Sequence, residues 1–319
     1  MLPLGSRLRG GVLGLLLADA VGVPYEFNAP ERLPPRDRIE LVPPEGFSFR
    51  RAHARVPPGT WSDDGAQALC LLDSLLACGR LDLPDLGGRI VRWLDEGYLA
   101  VDADIFDVGI QTREAIDALR AGRPAHTTGP AGERKNGNGS LMRALPLALW
   151  HRGSDAELVH DAMAQGLPTH GHLRSQLCCA LYCVWARLLL LTEEPDLEDA
   201  WSRAVAIVRA ETLEVEGAPA ELMGPLGADR PPGGQGSGYV VDALHSARLA
   251  LEEGGGYRGV VQAAIALGND TDTTACIAGG IAGIVHGFEA LPGDWLAQLR
   301  GREFCDPLIE KLVAVRGRA

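Results

Sequence analysis

Residues 66–81, AQALCLLDSLLACGRL, decide the fold. Leu69, Leu72, Leu75 and Leu76 recur at three- and four-residue spacing, which lines one face of a helix, and Gly79 stands where a left-handed cap would end it. The same stripe returns in 85–99 (DLGGRIVRWLDEGYL), 112–122, 154–167, 198–215, 240–255 and 272–291 (DTTACIAGGIAGIVHGFEAL). Alternating, β-branched runs are nearly absent, and roughly ten helical stripes without a set of strands read as an all-α fold. Three long connections separate the stripes. Residues 28–60 hold seven prolines and six arginines, and 122–140 and 216–238 are rich in glycine and proline. Loops of this length in a compact domain are usually functional or mobile. None of them divides the pattern into independent halves, so one domain over residues 1–319 is expected.

Composition narrows the class. With 42 acidic against 30 basic side chains the net charge is −12, the opposite of the basic field that a phosphate-tracking nucleic-acid binder carries. The chain is 46% hydrophobic, enough to bury a sizeable core. Seven cysteines, an odd number with no CxxC pair, lie mostly inside apolar stripes such as 177–186, which fits buried free thiols in a reducing cytoplasm. Arg7 and Arg9 ahead of the apolar run 10–20 imitate a secretion signal, but Asp19 sits where a cleavage site needs small neutral residues. No stretch reaches the ~18 uncharged apolar residues of a membrane helix, so no membrane partner is expected. Forty glycines in 319 residues exceed the usual ~7% and point to tight turns or close helix contacts.

Two clusters carry chemistry. Gly59-Thr60-Trp61-Ser62-Asp63-Asp64-Gly65 precedes a helix expected to begin near Ala66, and Gly268-Asn269-Asp270-Thr271-Asp272-Thr273-Thr274 precedes one expected near Ala275. Helix capping explains one acceptor at each site. It leaves the remaining carboxylates to repel one another unless a cation sits between them. Four aspartates with Ser and Thr hydroxyls form a hard, all-oxygen set that suits Mg²⁺ or Mn²⁺ and disfavours zinc.

Around these clusters the sequence resembles the ADP-ribosylglycohydrolase family, typified by dinitrogenase-reductase-activating glycohydrolase. The resemblance is carried by 10–27 (GGVLGLLLADAVGVPYEF), 59–75 (GTWSDDGAQALCLLDSL), 106–116 (FDVGIQTREAI), 136–149 (NGNGSLMRALPLAL), 167–176 (LPTHGHLRSQ), 236–247 (GSGYVVDALHSA) and 266–283 (ALGNDTDTTACIAGGIAG). Each is weak alone; seven in order span nearly the whole chain. The resemblance implies a compact orthogonal helical bundle with two divalent cations, Mg²⁺ or Mn²⁺. Ser62, Asp63, Asp64 and Asp272 would hold one ion, and Asp270, Asp272 and Thr273 the other, with Asp272 bridging. Two metals about 3.5–4 Å apart can hold vicinal ribose hydroxyls and orient a water towards the anomeric carbon. That carbon gains oxocarbenium character as the glycosidic bond breaks.

Further roles follow from the same resemblance. Glu26, with Asp63 and Asp64, belongs to the implied catalytic group; in related enzymes this glutamate gates the site or takes part in acid–base chemistry. Asp19 is expected to be structural. Asn138, Gly139, Ser140 and Met142 would form the ADP-ribose cradle, with His170, Gly236 and Tyr239 around it, and Arg143 would serve a phosphate or a buried carboxylate. Asp107 is the candidate to pair with a leaving guanidinium, since that pairing is bidentate. Three departures from the family stand out: Ser62 and Gly65 where threonine is usual, and Asn269 where glycine is common. The implied reaction is removal of ADP-ribose from a modified target, arginine first. The alternatives are a serine-linked, nucleic-acid-linked or small ADP-ribose derivative, or a binder without turnover.

Overall fold

The computed structural model describes residues 2–47 and 49–317. The chain forms α1 (Leu4–Gly22), α2 (Asp63–Cys78), α3 (Leu83–Glu96), α4 (Ile110–Arg120), α5 (Leu145–Trp150), α6 (Asp155–Ala164) and α7 (Leu173–Leu191). It continues with α8 (Leu197–Glu211), α9 (Ala218–Met223), α10 (Val240–Glu253), α11 (Gly256–Ala266), α12 (Thr271–His286), α13 (Gly293–Leu296) and α14 (Arg302–Arg316). No strand forms among the described residues; one isolated antiparallel bridge joins Gly137 to Tyr239. The fold is all-α, as the periodicity predicts. Gly79 closes α2 at φ +67°, with its N–H on the Leu75 carbonyl.

The main apolar cluster runs from Leu8 in α1 to Leu312 in α14 and includes much of α1 and α12, and a small second one joins Val23, Val56 and Phe106. Helices α1 and α12 run antiparallel and almost touch. A Cβ on Gly10 would sit 2.2 Å from the Gly283 carbonyl oxygen, and one on Gly14 would sit 2.6 Å from that of Gly279. At the far end, a Cβ on Gly22 would meet the Asp272 Cα at 2.4 Å. Glycine in a helix costs roughly 1 kcal/mol against alanine. Here it lets two backbones approach until nothing larger than hydrogen fits. The Tyr257 hydroxyl donates to the Gly14 carbonyl (2.6 Å) and that of Tyr182 to the Ile277 carbonyl (2.9 Å), tying α11 and α7 to the pair.

The signal-like N-terminus is therefore a core helix. Arg7 is buried and donates to the carbonyls of Leu189 (2.8 Å) and Thr192 (2.7 Å), capping the C-terminal end of α7. Two segments, Leu4–Tyr25 and Leu173–Leu191, do have the length and hydropathy of a membrane span once one or two charges are tolerated, but 94% and 83% of their apolar windows are buried inside the fold. No described cysteine forms a disulfide; six of the seven are buried and Cys78 is half-buried.

The helices carrying the two acidic clusters start earlier than expected, at Asp63 rather than near Ala66 and at Thr271 rather than near Ala275. The acids thus belong to the first turns, where unpaired N–H groups face them. The glycine contact has a stability signature. Gly283→Ala adds a methyl against the Gly10 carbonyl and should lower the melting temperature despite its better helix propensity. Gly88→Ala in α3, where a Cβ meets nothing within 4 Å, should raise it by the usual propensity gain of about 1 kcal/mol. Thermal unfolding of the two variants beside the parent checks both signs.

Candidate metal centre and active site

The site begins with a carboxylate used as a cap. Asp19, fully buried near the end of α1, accepts the Ser62 N–H at 2.9 Å and the Gly65 N–H at 2.8 Å. A Cβ on Gly65 would lie 2.9 Å from that same Asp19 oxygen, closer than real Cβ atoms come, so glycine suits this approach. Ser62 takes the N-cap position, its Oγ accepting the Asp64 N–H (3.3 Å) and lying 3.1 Å from Asp64 Oδ2. On the other helix, Thr273 Oγ1 donates to Asp64 at 3.2 Å. Asn269 has φ +61°, its N–H on the Asn28 carbonyl (2.7 Å) and its carbonyl receiving the Phe27 N–H (2.7 Å). Asparagine tolerates the left-handed region better than most non-glycine residues, which suits it to this position.

Capping does not use up these carboxylates. Asp270 is the N-cap of α12 yet makes no side-chain cap bond; its Oδ2 accepts from Asn138 Nδ2 at 2.8 Å, while its Oδ1 is buried with no partner. Asp272 Oδ1 accepts the Thr273 N–H at 3.0 Å, and its Oδ2 is likewise buried and unpartnered. Asp19, Asp64 and Asp272 bring one oxygen each within 4.8 Å of one another, and so do Glu26, Asp270 and Asp272. Asp63 falls outside both trios, and its Oδ2 accepts from Gln67 at 3.2 Å.

Burial, followed by mutual repulsion, holds the carboxyls of Asp63, Asp64 and Asp272 well above their usual range. Burial pushes Asp19 up to about 7, against the pull of its backbone N–H bonds. Glu26 rises to about 11 through burial and then the charges of Asp107, Asp270, Asp64 and Asp19. No arginine or lysine pairs with any of these acids among the described residues. Orphaned hard oxygens in a field of like charge fit divalent cations that prefer oxygen ligands.

Above the acids opens a cleft of about 460 Å³, lined by Glu26, Asp63, Asp270 and Thr273 at its floor and by Asp107, Asn138, Gly139, Met142 and His170 on its walls. Asp107 sits at φ +53°, its carboxyl raised to about 7 by burial and then by Asp270. His170 is buried, with Nδ1 2.8 Å from the Thr169 hydroxyl. Thr169 accepts from Arg143 at 2.7 Å, and its one proton is shared between His170 Nδ1 and the Gly166 carbonyl (3.5 Å). Burial and then Arg143 lower this imidazole to about 3, so it stays neutral.

The remaining expected residues lie off the lining. Ser62, Asp64 and Asp272 are buried beneath it. Ser140 is fully buried, its hydroxyl 3.5 Å from the Cys179 thiol. Gly236, at φ +65°, accepts the Asp270 N–H (2.8 Å), and Tyr239 is partly exposed with its hydroxyl accepting from Arg174 (3.3 Å). Their neighbours Gly238 and Val240 brace the loop at 136–138: Asn138 N–H reaches the Gly238 carbonyl and Val240 N–H reaches that of Asn136. Arg143 serves neither phosphate nor carboxylate. It is fully buried and donates to Gln67 Oε1 (3.1 Å), Thr169 Oγ1 (2.7 Å), Gln165 and the Gly139 carbonyl (3.2 Å).

Sequence reasoning overlooked Gln67, which links Arg143 to Asp63; its position four residues after Asp63 on one helix face is the signal that would have found it. It also overlooked Gln111, which holds the Gly137 N–H (3.4 Å), and His53, whose Nε2 lies 2.8 Å from Glu26 Oε2. Phe27 and Ile110 stand at the cleft mouth, 70% and 80% exposed.

A family model described as ADP-ribosylglycohydrolase matches residues 2–319. The chain is 29% identical over 308 residues to a protein of Pseudomonas putida named ADP-ribosylarginine hydrolase Tri1, covering 96% of this chain and 78% of that one. It is 28% identical over 294 residues to ADP-ribosyl-[dinitrogen reductase] glycohydrolase of Rhodospirillum rubrum, covering 92% and 90%. To ADP-ribosylhydrolase ARH3 of Bos taurus the identity is 26%, covering 96% and 92%. A solved structure titled ADP-ribosylglycohydrolase-related protein complex superposes with a TM-score of 0.75 at 28% identity, covering 98% of both chains. With its helices, its paired acidic helix starts and its cleft, this chain belongs to the ADP-ribosylglycohydrolase family of hydrolases.

Proposed function

We propose that the protein hydrolyses the N-glycosidic bond between ADP-ribose and an arginine side chain of a modified protein, using two divalent cations, Mg²⁺ or Mn²⁺. The observation that carries the reading is the pair of buried, unpartnered oxygens, Asp270 Oδ1 and Asp272 Oδ2, beneath a cleft whose walls offer a neutral imidazole and a second carboxylate. Ser62, Asp63, Asp64 and Asp272 would hold one cation, and Asp270, Asp272 and Thr273 the other. Bound there, such ions supply the charge that orients a water and vicinal ribose hydroxyls. Glu26 lines the floor and is the group placed to move a proton. His170 presents a neutral imidazole, and the glycine-rich turn at 137–139 lets a ligand approach the backbone closely. Asp107 faces the same cleft and is assigned to the leaving guanidinium. The whole chain acts as one domain on this reading, and seven free thiols agree with a cytoplasmic location.

Arginine linkage is the preferred substrate because a carboxylate on the cleft wall matches a guanidinium better than a serine oxygen. Release of ADP-ribose from arginine-modified protein in Mg²⁺ or Mn²⁺ is the direct test. Asp272→Ala should lose activity by about a hundredfold or more, since it removes the ligand shared by both ions. Full activity of that variant in chelator would overturn the two-metal reading. Asp107→Asn should raise KM for the arginine-linked substrate about tenfold, the worth of one charge-assisted contact, and leave serine-linked ADP-ribose unaffected. A substrate panel with both linkages reads this.

The pH dependence has a defined sign. Asp19 and Asp107 rise from near 3.8 unfolded to about 7 folded. Between those values the folded state binds more protons than the unfolded chain, so metal-free stability is full below about pH 4 and falls as pH rises through 7. Divalent cation opposes that loss by neutralising the cluster. The rise in melting temperature on adding Mn²⁺ should therefore be larger at pH 8 than at pH 5 by scanning fluorimetry.

A further inference from the structure

We infer that His53 is a positioning residue for Glu26, an inference that rests on the hydrolase reading above. Glu26 leaves the short turn Val23–Tyr25 with its side chain almost wholly buried, and His53 Nε2, 2.8 Å from Oε2, is the one described partner of that carboxyl. On its other side Glu26 faces Asp270 and Asp272, close enough that the three carboxyls share a 4.8 Å neighbourhood. A carboxyl so placed has two rival arrangements: turned to the imidazole, or turned into the acidic pair beneath the cleft. The bond to His53 holds the first and leaves the second oxygen of Glu26 for the cleft it lines.

The surroundings of His53 keep the imidazole in place. Its ring lies between Phe106 (centroids 5.0 Å apart) and Phe27 (5.6 Å), both tilted onto it. Its backbone sits at φ +42°, a strained conformation for a residue with a side chain, and is held by Ala52 N–H on the Pro24 carbonyl and Val56 N–H on its own carbonyl. Asn28 fastens the same segment to the Glu26 turn, donating to the carbonyls of Glu26 (2.9 Å) and Arg50 (2.8 Å) and accepting the Arg50 N–H (3.2 Å). The proline-rich connection 28–60 thus returns a side chain to the residue it started from. Asp107 joins Glu26 and His53 in a third close trio, so the segment also sets the wall that faces the leaving group.

The test is a double-mutant cycle on whichever ADP-ribosyl substrate the parent enzyme hydrolyses. His53→Ala should lower kcat about tenfold to a hundredfold, part of the 10²–10⁴ that a placed acid–base group supplies, with KM within about twofold. His53→Gln, whose amide reaches and donates, should recover most of the loss. In a Glu26→Gln background His53→Ala should add nothing further. Parent kcat in His53→Ala, or independent effects of the two substitutions, overturns the inference. A readout free of turnover separates its failure from that of the hydrolase reading. In ¹⁵N-histidine-labelled protein the His53 Nε2 resonance should move on Glu26→Gln while those of His126 and His160 stay. An unmoved His53 overturns the pairing whether or not the parent hydrolyses ADP-ribose.

Discussion

Two helix backbones in this protein approach until no side chain fits between them, and the site is built on that contact. Where Gly10 and Gly14 of α1 meet Gly283 and Gly279 of α12, no β-carbon fits, and Gly22 carries the same contact to the Cα of Asp272. The consequence is chemical as well as steric. Asp19 lies in the last turns of α1 and Glu26 just beyond it, and Asp270, Asp272 and Thr273 open α12, so drawing the two helices together draws five polar side chains to one region. A side chain at any of these glycines would have to displace the facing helix backbone. The glycine excess in the composition is in part the requirement of that contact.

Bringing acids together in an apolar interior opposes folding, and the structure offsets this in two different ways. Asp19 is matched inside the protein: two backbone N–H groups at the start of α2 point at it, and the helix dipole favours its charge. Asp270 and Asp272 are not matched, each keeping one oxygen without a donor. Asp19 and Asp272 are equally inaccessible, so hydrogen-bond satisfaction and not burial is what distinguishes them. The nearest buried guanidinium, Arg143, reaches Asp63 only through Gln67, so positive charge is held one residue back from the cluster.

How much of this was legible beforehand divides along physical lines. Helix stripes such as Leu69, Leu72 and Leu75 and both acidic motifs could be read because the information is local: periodicity, caps and adjacent carboxylates. Helix starts were misplaced by three or four residues because the acceptor for the first N–H groups of α2, Asp19, lies 43 residues away from Ser62. Arg143 was misread for the same reason, its partners Gln67, Gln165 and Thr169 arriving from three separate segments. Ser140 looked like part of a cradle because it follows two glycines, yet the chain turns its hydroxyl inward to Cys179. His53 had no signal at all, since a lone histidine in a proline-rich loop has no period to betray which side chain it meets.

The long connections therefore deserve the same weight as the helices in explaining the cleft. Helices α1, α2 and α12 set the positions of the acids at its floor, but nothing in a helix selects what the open side of the cleft presents. That selection comes from the backbone of 136–139, pinned by Gln111 and by the Gly238 carbonyl, and from the segment that ends at His53 and packs on Phe106 beside Asp107. Phe27 and Ile110 extend these walls into solvent as exposed apolar groups at the mouth. Substitutions in such segments alter the walls without disturbing the α1–α12 contact. The floor of the cleft is thus fixed by helices and its walls by the connections that carry Phe27, Asp107 and Asn138, so the two can vary separately.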